Sequence, residues 1–241
     1  FDRGKKYTCL VYGKRDNEQA LSVIEIPKSF WLDKHDTPFP DIGLALKNPN
    51  GLIGIGGDLS TKRLLKAYSQ GIFPWYSDEE PILWYSPDPR MVITPEVFHL
   101  SKSLNKIVLS KKFEVRMNTA FIDVITHCQK INRPGQSGTW IGDDMLRAYC
   151  ELHDSGYAHS YEVYEKDKLV GGLYGVALGQ VFFGESMFSL ISNASKVAFA
   201  YLLQKSHYRL IDCQVENPHL ESLGAFKLAR DLFIQQLKAF V

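Results

Sequence analysis

The sequence predicts an α+β protein built on a mostly antiparallel sheet, with a small N-terminal unit ahead of a larger one. Residues 159–165, 169–178 and 181–188 are β-branched and aromatic runs. They are separated by Lys166-Asp167-Lys168 and by Gly179-Gln180, the pattern of a three-stranded meander with tight turns. Helical periodicity flanks the meander over 101–112, 120–129, 143–155 and 194–204. Before residue 95 the chain is instead broken by clusters of glycine, proline and aromatic residues. The units are drawn as 1–95 and 96–241, with no role assigned to 1–38.

Taken in order, residues 7–12 and 21–26 are candidate strands around a polar turn at 13–18. The glycine-rich 51–60 reads as a backbone-shaping turn, and 61–70 as a helix stopped by Gly71. It lacks the Gly-Lys-Ser/Thr end and the Gly-x-Gly-x-x-Gly spacing of nucleotide loops. Gly71-Ile72-Phe73-Pro74-Trp75-Tyr76-Ser77 and the stretch from Ile82 to Arg90 read as loops, too rich in rings and prolines for all of them to be core. Aromatic rings on loops are platforms for stacking a base. The 101–112 helix sets Lys102 and Lys106 on one face, with Lys111, Lys112 and Arg116 beyond, the concentrated basic patch of the chain. Asn193 is placed as the cap of the 194–204 helix. Asn217, Pro218 and Gly224 bracket a short helix, and 231–240 is a final amphipathic stretch.

Composition narrows the function. The 241 residues are 45% hydrophobic and 12% aromatic, enough for a real core. No apolar run reaches the roughly 18 residues of a membrane helix. Lys plus Arg is 28 against 27 Asp plus Glu, so nucleic-acid binding would need a local patch. Cys9, Cys128, Cys150 and Cys213 are scattered without a Cys-x-x-Cys, which points to a reducing compartment, the cytoplasm, and away from a zinc site.

Two features carry chemistry. Leu210-Ile211-Asp212-Cys213-Gln214-Val215 reads as a strand, so Asp212 and Gln214 face one way and Ile211, Cys213 and Val215 the packed side. A carboxylate beside a carboxamide makes a small polar device, the Asp accepting and the Gln both accepting and donating, or it merely caps the helix that follows. Glu185 interrupts an apolar strand, and a glutamate there is either paired or functional.

The order meander, helix, strand, short helix resembles the fold of the GCN5-related N-acetyltransferases. Those enzymes bind the coenzyme A pyrophosphate with a glycine-rich loop before the helix. Here that position holds Ser189-Leu190-Ile191-Ser192-Asn193-Ala194-Ser195-Lys196, without glycine. Together with the aromatic loops and the basic helix, this points to an acyl donor esterified to RNA.

Eight segments are similar, in order and spacing, to the leucyl/phenylalanyl-tRNA–protein transferase family. They are Gly56-Gly57-Asp58-Leu59-Ser60, Gly71-Ile72-Phe73-Pro74-Trp75, Trp84-Tyr85-Ser86-Pro87-Asp88-Pro89-Arg90, Gly138-Thr139-Trp140-Ile141, Gly171-Gly172-Leu173-Tyr174-Gly175, Phe183-Gly184-Glu185-Ser186-Met187-Phe188-Ser189, Asn193-Ala194-Ser195-Lys196 and Ile211-Asp212-Cys213-Gln214. The resemblance implies a cytoplasmic bacterial enzyme, monomeric and free of metal and cofactor. It would move Leu or Phe from tRNA to the N-terminal Arg or Lys of acceptor proteins, marking them for N-end-rule degradation.

The same resemblance implies residue roles. Asp212 and Gln214 match the catalytic pair, the Gln contacting the reacting amine and the Asp orienting and polarising it. Glu185 matches a neighbouring carboxylate, suited to attract the acceptor's cationic side chain. Trp75 and Trp140 match the site of the terminal adenosine. Leu173, Phe182, Gly184 and Ser186 match the aminoacyl pocket. Lys102, Lys106, Lys111 and Lys112 match the region that meets the acceptor stem. A coenzyme A-dependent N-acetyltransferase and a non-catalytic tRNA-binding module are the competing readings.

Overall fold

A computed structural model describes residues 8–11, 22–33, 37–77, 80–131 and 141–241. The turn at 13–18 and most of the loop that carries Trp140, Trp140 included, lie outside the described residues.

The chain runs β1 (Thr8–Val11), β2 (Ser22–Glu25), β3 (Trp31–Leu32), β4 (Leu52–Gly56), α1 (Thr61–Ser69), β5 (Phe73–Pro74), β6 (Leu83–Tyr85) and β7 (Arg90–Ile93). It continues α2 (Lys102–Leu109), β8 (Glu114–Met117), α3 (Phe121–Lys130), α4 (Asp143–Asp154), β9 (Ala158–Glu165), β10 (Lys168–Leu178) and β11 (Val181–Ser189). Last come α5 (Ala194–Lys205), β12 (Leu210–Gln214), α6 (Pro218–Glu221), β13 (Phe226–Leu228) and α7 (Arg230–Phe240). β1 and β2 form an antiparallel pair. A four-stranded sheet has the order β3-β4-β6-β5, and a seven-stranded sheet the order β13-β7-β12-β11-β10-β9-β8. In the large sheet only β11 and β12 run parallel, so the protein is α+β with a mostly antiparallel sheet.

The meander and the helices form where their periodicity puts them, but three readings are corrected. Residues 52–56 are a buried strand, not a turn; the left-handed glycines sit at its ends, Gly51 at φ 89° and Gly56 and Gly57 at 84° and 80°. Gly54 gives the strand its loop-like look, because a Cβ there would meet Leu32 and Trp84 at 3.1 and 3.4 Å. Second, the aromatic stretches contain β5 and β6. Phe73, Tyr76, Trp84 and Tyr85 are buried, and Trp75 alone of these rings is exposed. Third, Asn193 holds a left-handed φ of 70° and makes no side-chain cap; Ser189 Oγ instead accepts from the Ser195 N–H at 2.9 Å. Also, β7 lies before residue 95 yet pairs inside the large sheet, between β12 and β13.

Alternation along the sheet sorts the core into two clusters. Leu173, Phe182 and Ile211 face α5 and α2. Tyr174, Val176 and Phe183 face the other way, toward α1, α3, α4 and α7. The N-terminal sheet and α1 thus pack on the face opposite α5.

Candidate active site

The site is where β11 and β12 part. Their parallel pairing covers Val181↔Leu210, Phe182↔Ile211 and Phe183↔Asp212, and then ends. Just beyond, each strand carries a bulge against its other neighbour. Tyr174 pairs with Ser186 and Gly175 with Gly184, which leaves Glu185 over. Asp212 pairs with Val92 and Gln214 with Met91, which leaves Cys213 over. Bulges bend strands and re-aim side chains. A cavity of about 300 Å³ opens between them, a size suited to one small side chain or cofactor fragment.

Glu185 is buried at the cavity wall and carries three donors. Tyr68 OH reaches Oε1 at 2.7 Å, Tyr149 OH reaches Oε2 at 3.1 Å, and Gln214 Nε2 reaches Oε1 at 3.0 Å. The two tyrosine hydroxyls also touch each other. Burial pushes the Glu185 carboxyl up to about 7, against the pull of the tyrosine hydrogen bonds. Burial likewise raises both tyrosines well above the ordinary phenol range, so they remain donors.

Asp212 is placed differently from expectation. Its side chain has no exposed surface. Arg90 Nε donates to Oδ1 at 2.8 Å and Arg90 Nη2 to Oδ2 at 2.7 Å, a bidentate buried pair. The Gln214 backbone N–H also donates to Oδ1 at 2.8 Å. Asp212 lines the cavity, but its carboxylate is tied up by Arg90 and by the backbone of Gln214 instead of standing free beside the Gln214 side chain. Gln214 sits at φ 65°, sparsely populated for a residue with a side chain. The bulge also turns Cys213 and Val215 toward the cavity, correcting the strict alternation read from sequence. The Cys213 thiol is raised by burial, first, and by Asp212, so it stays protonated and is a poor nucleophile.

The other expected residues divide. Leu173, Phe182, Gly184 and Ser186 all line the cavity, with Phe199, Leu202, Ile211 and Leu220 completing an apolar wall. Ser186 pairs with Tyr174 across the bulge, so it leaves the face that Phe182 and Gly184 share. Trp75 stands at the rim, 40% exposed and edge-on to Tyr85 at 5.7 Å. Lys102 and Lys106 are exposed on α2, away from the cavity lining. Lys111 takes a φ of 55°, and Lys112 lies 3.5 Å from Glu165. Arg116 is engaged by Glu114 and Asp167, which takes its charge out of the basic patch.

Sequence reasoning missed Arg90, Tyr68 and Tyr149. A signal for Arg90 existed: a strand carboxylate as buried as Asp212 demands a cation. The two tyrosines lie on apolar helix faces and read as core; nothing in their spacing announces hydroxyls aimed at Glu185. Among the described residues, no group of three or more His, Cys, Asp or Glu could hold a metal ion.

A hydrogen-bonded glutamate and glutamine thus stand beside an apolar cavity where the parallel strands β11 and β12 part. The family profile described as leucyl/phenylalanyl-tRNA protein transferase matches residues 92–238, and that of its N-terminal domain matches 57–88. A leucyl/phenylalanyl-tRNA–protein transferase of Saccharophagus degradans is 50% identical over 216 residues, 88% of each chain. One from Xanthomonas axonopodis pv. citri is 53% identical over 213 residues, covering 87% of this chain and 86% of its own. The chain belongs to the leucyl/phenylalanyl-tRNA–protein transferase family and is an aminoacyltransferase. Among solved structures, it is similar to a GCN5-related N-acetyltransferase from Kribbella flavida, with a TM-score of 0.36, 8% identity, and coverage of 68% of this chain and 60% of that one.

Proposed function

We propose that this chain transfers Leu or Phe from the 3′ end of aminoacyl-tRNA to the α-amino group of an N-terminal Arg or Lys of an acceptor protein. It acts as a monomer in the bacterial cytoplasm and marks the acceptor for N-end-rule degradation. The observation that carries the reading is the Glu185–Gln214 hydrogen bond at the mouth of an apolar cavity. An ionised carboxylate only accepts, so the Gln214 NH2 faces Glu185 and its Oε1 is left to accept from an incoming amine.

The reaction needs little more than placement. The neutral amine attacks the ester carbonyl, a C–N bond forms, and the C–O bond to the ribose breaks. The proton lost by nitrogen ends on the departing ribose oxygen. Gln214 aims the amine lone pair, and the Glu185 charge beneath it offsets the positive charge that develops on nitrogen and draws the acceptor's cation. Leu173, Phe182 and Gly184 hold the aminoacyl side chain, with Ser186 at the edge of that wall. Trp75, with Trp140, offers the terminal adenine a stacking face. Lys102, Lys106, Lys111 and Lys112 meet the acceptor-stem phosphates.

A coenzyme A donor is disfavoured by the start of α5. Its Ser195 N–H is already bonded to Ser189 Oγ, and no glycine opens the loop to a pyrophosphate. The test mixes the protein with radiolabelled Leu-tRNA and two peptides that differ only in a first residue of Arg or Ala. Label on the Arg peptide alone is expected. Label on neither, with acetyl-coenzyme A accepted instead, replaces the reading with the N-acetyltransferase; tRNA binding without transfer replaces it with the binding module.

A further inference from the structure

We propose that Arg90 is a positioning residue for the transfer reaction, acting through Asp212 to set Gln214; the proposal rests on the reading of Gln214 given above. Neither Arg90 nor Asp212 has exposed side-chain surface, and Arg90 lies outside the cavity lining. The guanidinium spans both carboxylate oxygens. Its carbon also lies over two rings, Phe73 of β5 at 4.8 Å and Phe233 of α7 at 4.7 Å from the ring centres. One ring comes from the N-terminal sheet and the other from the C-terminal helix, so the fork has a single orientation available.

That orientation fixes Asp212 Oδ1 where it can accept the Gln214 N–H. The hydrogen bond compensates a backbone angle that a glutamine rarely adopts. The same bulge delivers Nε2 to Glu185. Remove the guanidinium and Asp212 is an uncompensated buried carboxylate, free to turn. The bulge then loses its acceptor, and the carboxamide its aim. A buried ion pair is a weak source of net stability compared with apolar packing of the same volume. Its position two residues from Gln214 is better explained by geometry. Only arginine can do this, because a lysine lacks the planar fork that spans two oxygens and lies over rings.

The experiment compares Arg90→Lys, Phe233→Leu, Asp212→Asn, Arg90→Lys/Asp212→Asn and Gln214→Ala in single-turnover transfer, with folding followed by circular dichroism. Arg90→Lys is expected to lower kcat about 100-fold, the scale of a one-ångström misplacement. Its KM and dissociation constant for aminoacyl-tRNA should move less than about threefold, because ground-state binding does not use the pair. Phe233→Leu keeps both hydrogen bonds and covers the case in which Arg90→Lys does not fold; its loss falls in kcat alone. In the Asp212→Asn background, Arg90→Lys should add almost nothing, since coupled residues are not additive. Wild-type kcat in folded Arg90→Lys or Phe233→Leu, or losses that multiply in the double variant, overturns the proposal. Wild-type kcat in Gln214→Ala overturns the reading of Gln214 instead.

Discussion

Glu185 Oε1 accepts a hydrogen bond from Gln214 Nε2 at 3.0 Å, and the two residues reach each other from bulges on strands that no longer pair. The parallel register that pairs Phe183 with Asp212 would set Glu185 across from Gln214 if it continued, and the two side chains still meet where that pairing has ended. Their contact places a fixed acceptor at the mouth of the cavity.

The Glu185 carboxyl, raised to about 7 by burial, gives the enzyme a pH signature. Its folded value lies above the ordinary 4.5. The proton is therefore held more tightly in the folded state, and stability falls as pH rises from about 4.5 through about 7. Activity should move the other way, because only the carboxylate forces the Gln214 NH2 toward it. Transfer rate is expected to rise through pH 7, and Glu185→Gln should remove that inflection and the matching slope of urea midpoint against pH. The α-amino group also titrates near this range, so the inflection that survives in Glu185→Gln belongs to the amine. An unchanged profile in the variant contradicts the assignment.

Trp75 is exposed at the rim and braced by Tyr85. Trp75→Ala should weaken aminoacyl-tRNA binding by about 1–3 kcal/mol, the worth of one base stack, with Trp75→Phe intermediate. Binding of a tRNA truncated by its terminal adenosine should be indifferent to the substitution. Equal losses for both RNAs would place Trp75 elsewhere on the RNA path.

Two glycines on the facing strands β10 and β11 make opposite predictions. A Cβ at Gly175 would lie 2.1 Å from Phe183 O and 2.7 Å from the Phe182 ring. Gly175→Ala is expected to cost about 1–3 kcal/mol or more, read as a lower melting temperature. At Gly184 the added carbon meets only Asp212 O, at 3.4 Å. Gly184→Ala should fold normally and narrow the cavity, cutting Phe transfer about tenfold relative to Leu. Parallel losses of Leu and Phe would mean that Gly184 does not border the aminoacyl side chain.

Much of this was legible in the residues. The meander, the helices and the short helix after β12 follow from period, turn chemistry and caps; Asn217 Oδ1 does accept from the His219 and Leu220 N–H groups. Strands β5 and β6 were not legible. They are two and three residues long, and their stretches read as loops because a short buried strand has no period to show. In the site, Glu185, Asp212 and Gln214 stand out in the sequence as polar residues in apolar strands. Their geometry could not, since a bulge shifts every side chain after it by one face. Tyr68 and Tyr149 come from helices far apart in sequence, brought together only by the packing of α1 on α4.

The measurement that bears most directly on the account is a single-turnover comparison of wild type and Gln214→Ala, using preloaded Phe-tRNA and an Arg-initiated peptide. The chemical step is predicted to slow by about 100-fold or more, while the dissociation constants for Phe-tRNA and peptide stay within about threefold of wild type. A transfer rate that falls only in proportion to weakened binding would contradict the claim that Gln214, fixed by Glu185 and Asp212, places the amine for attack.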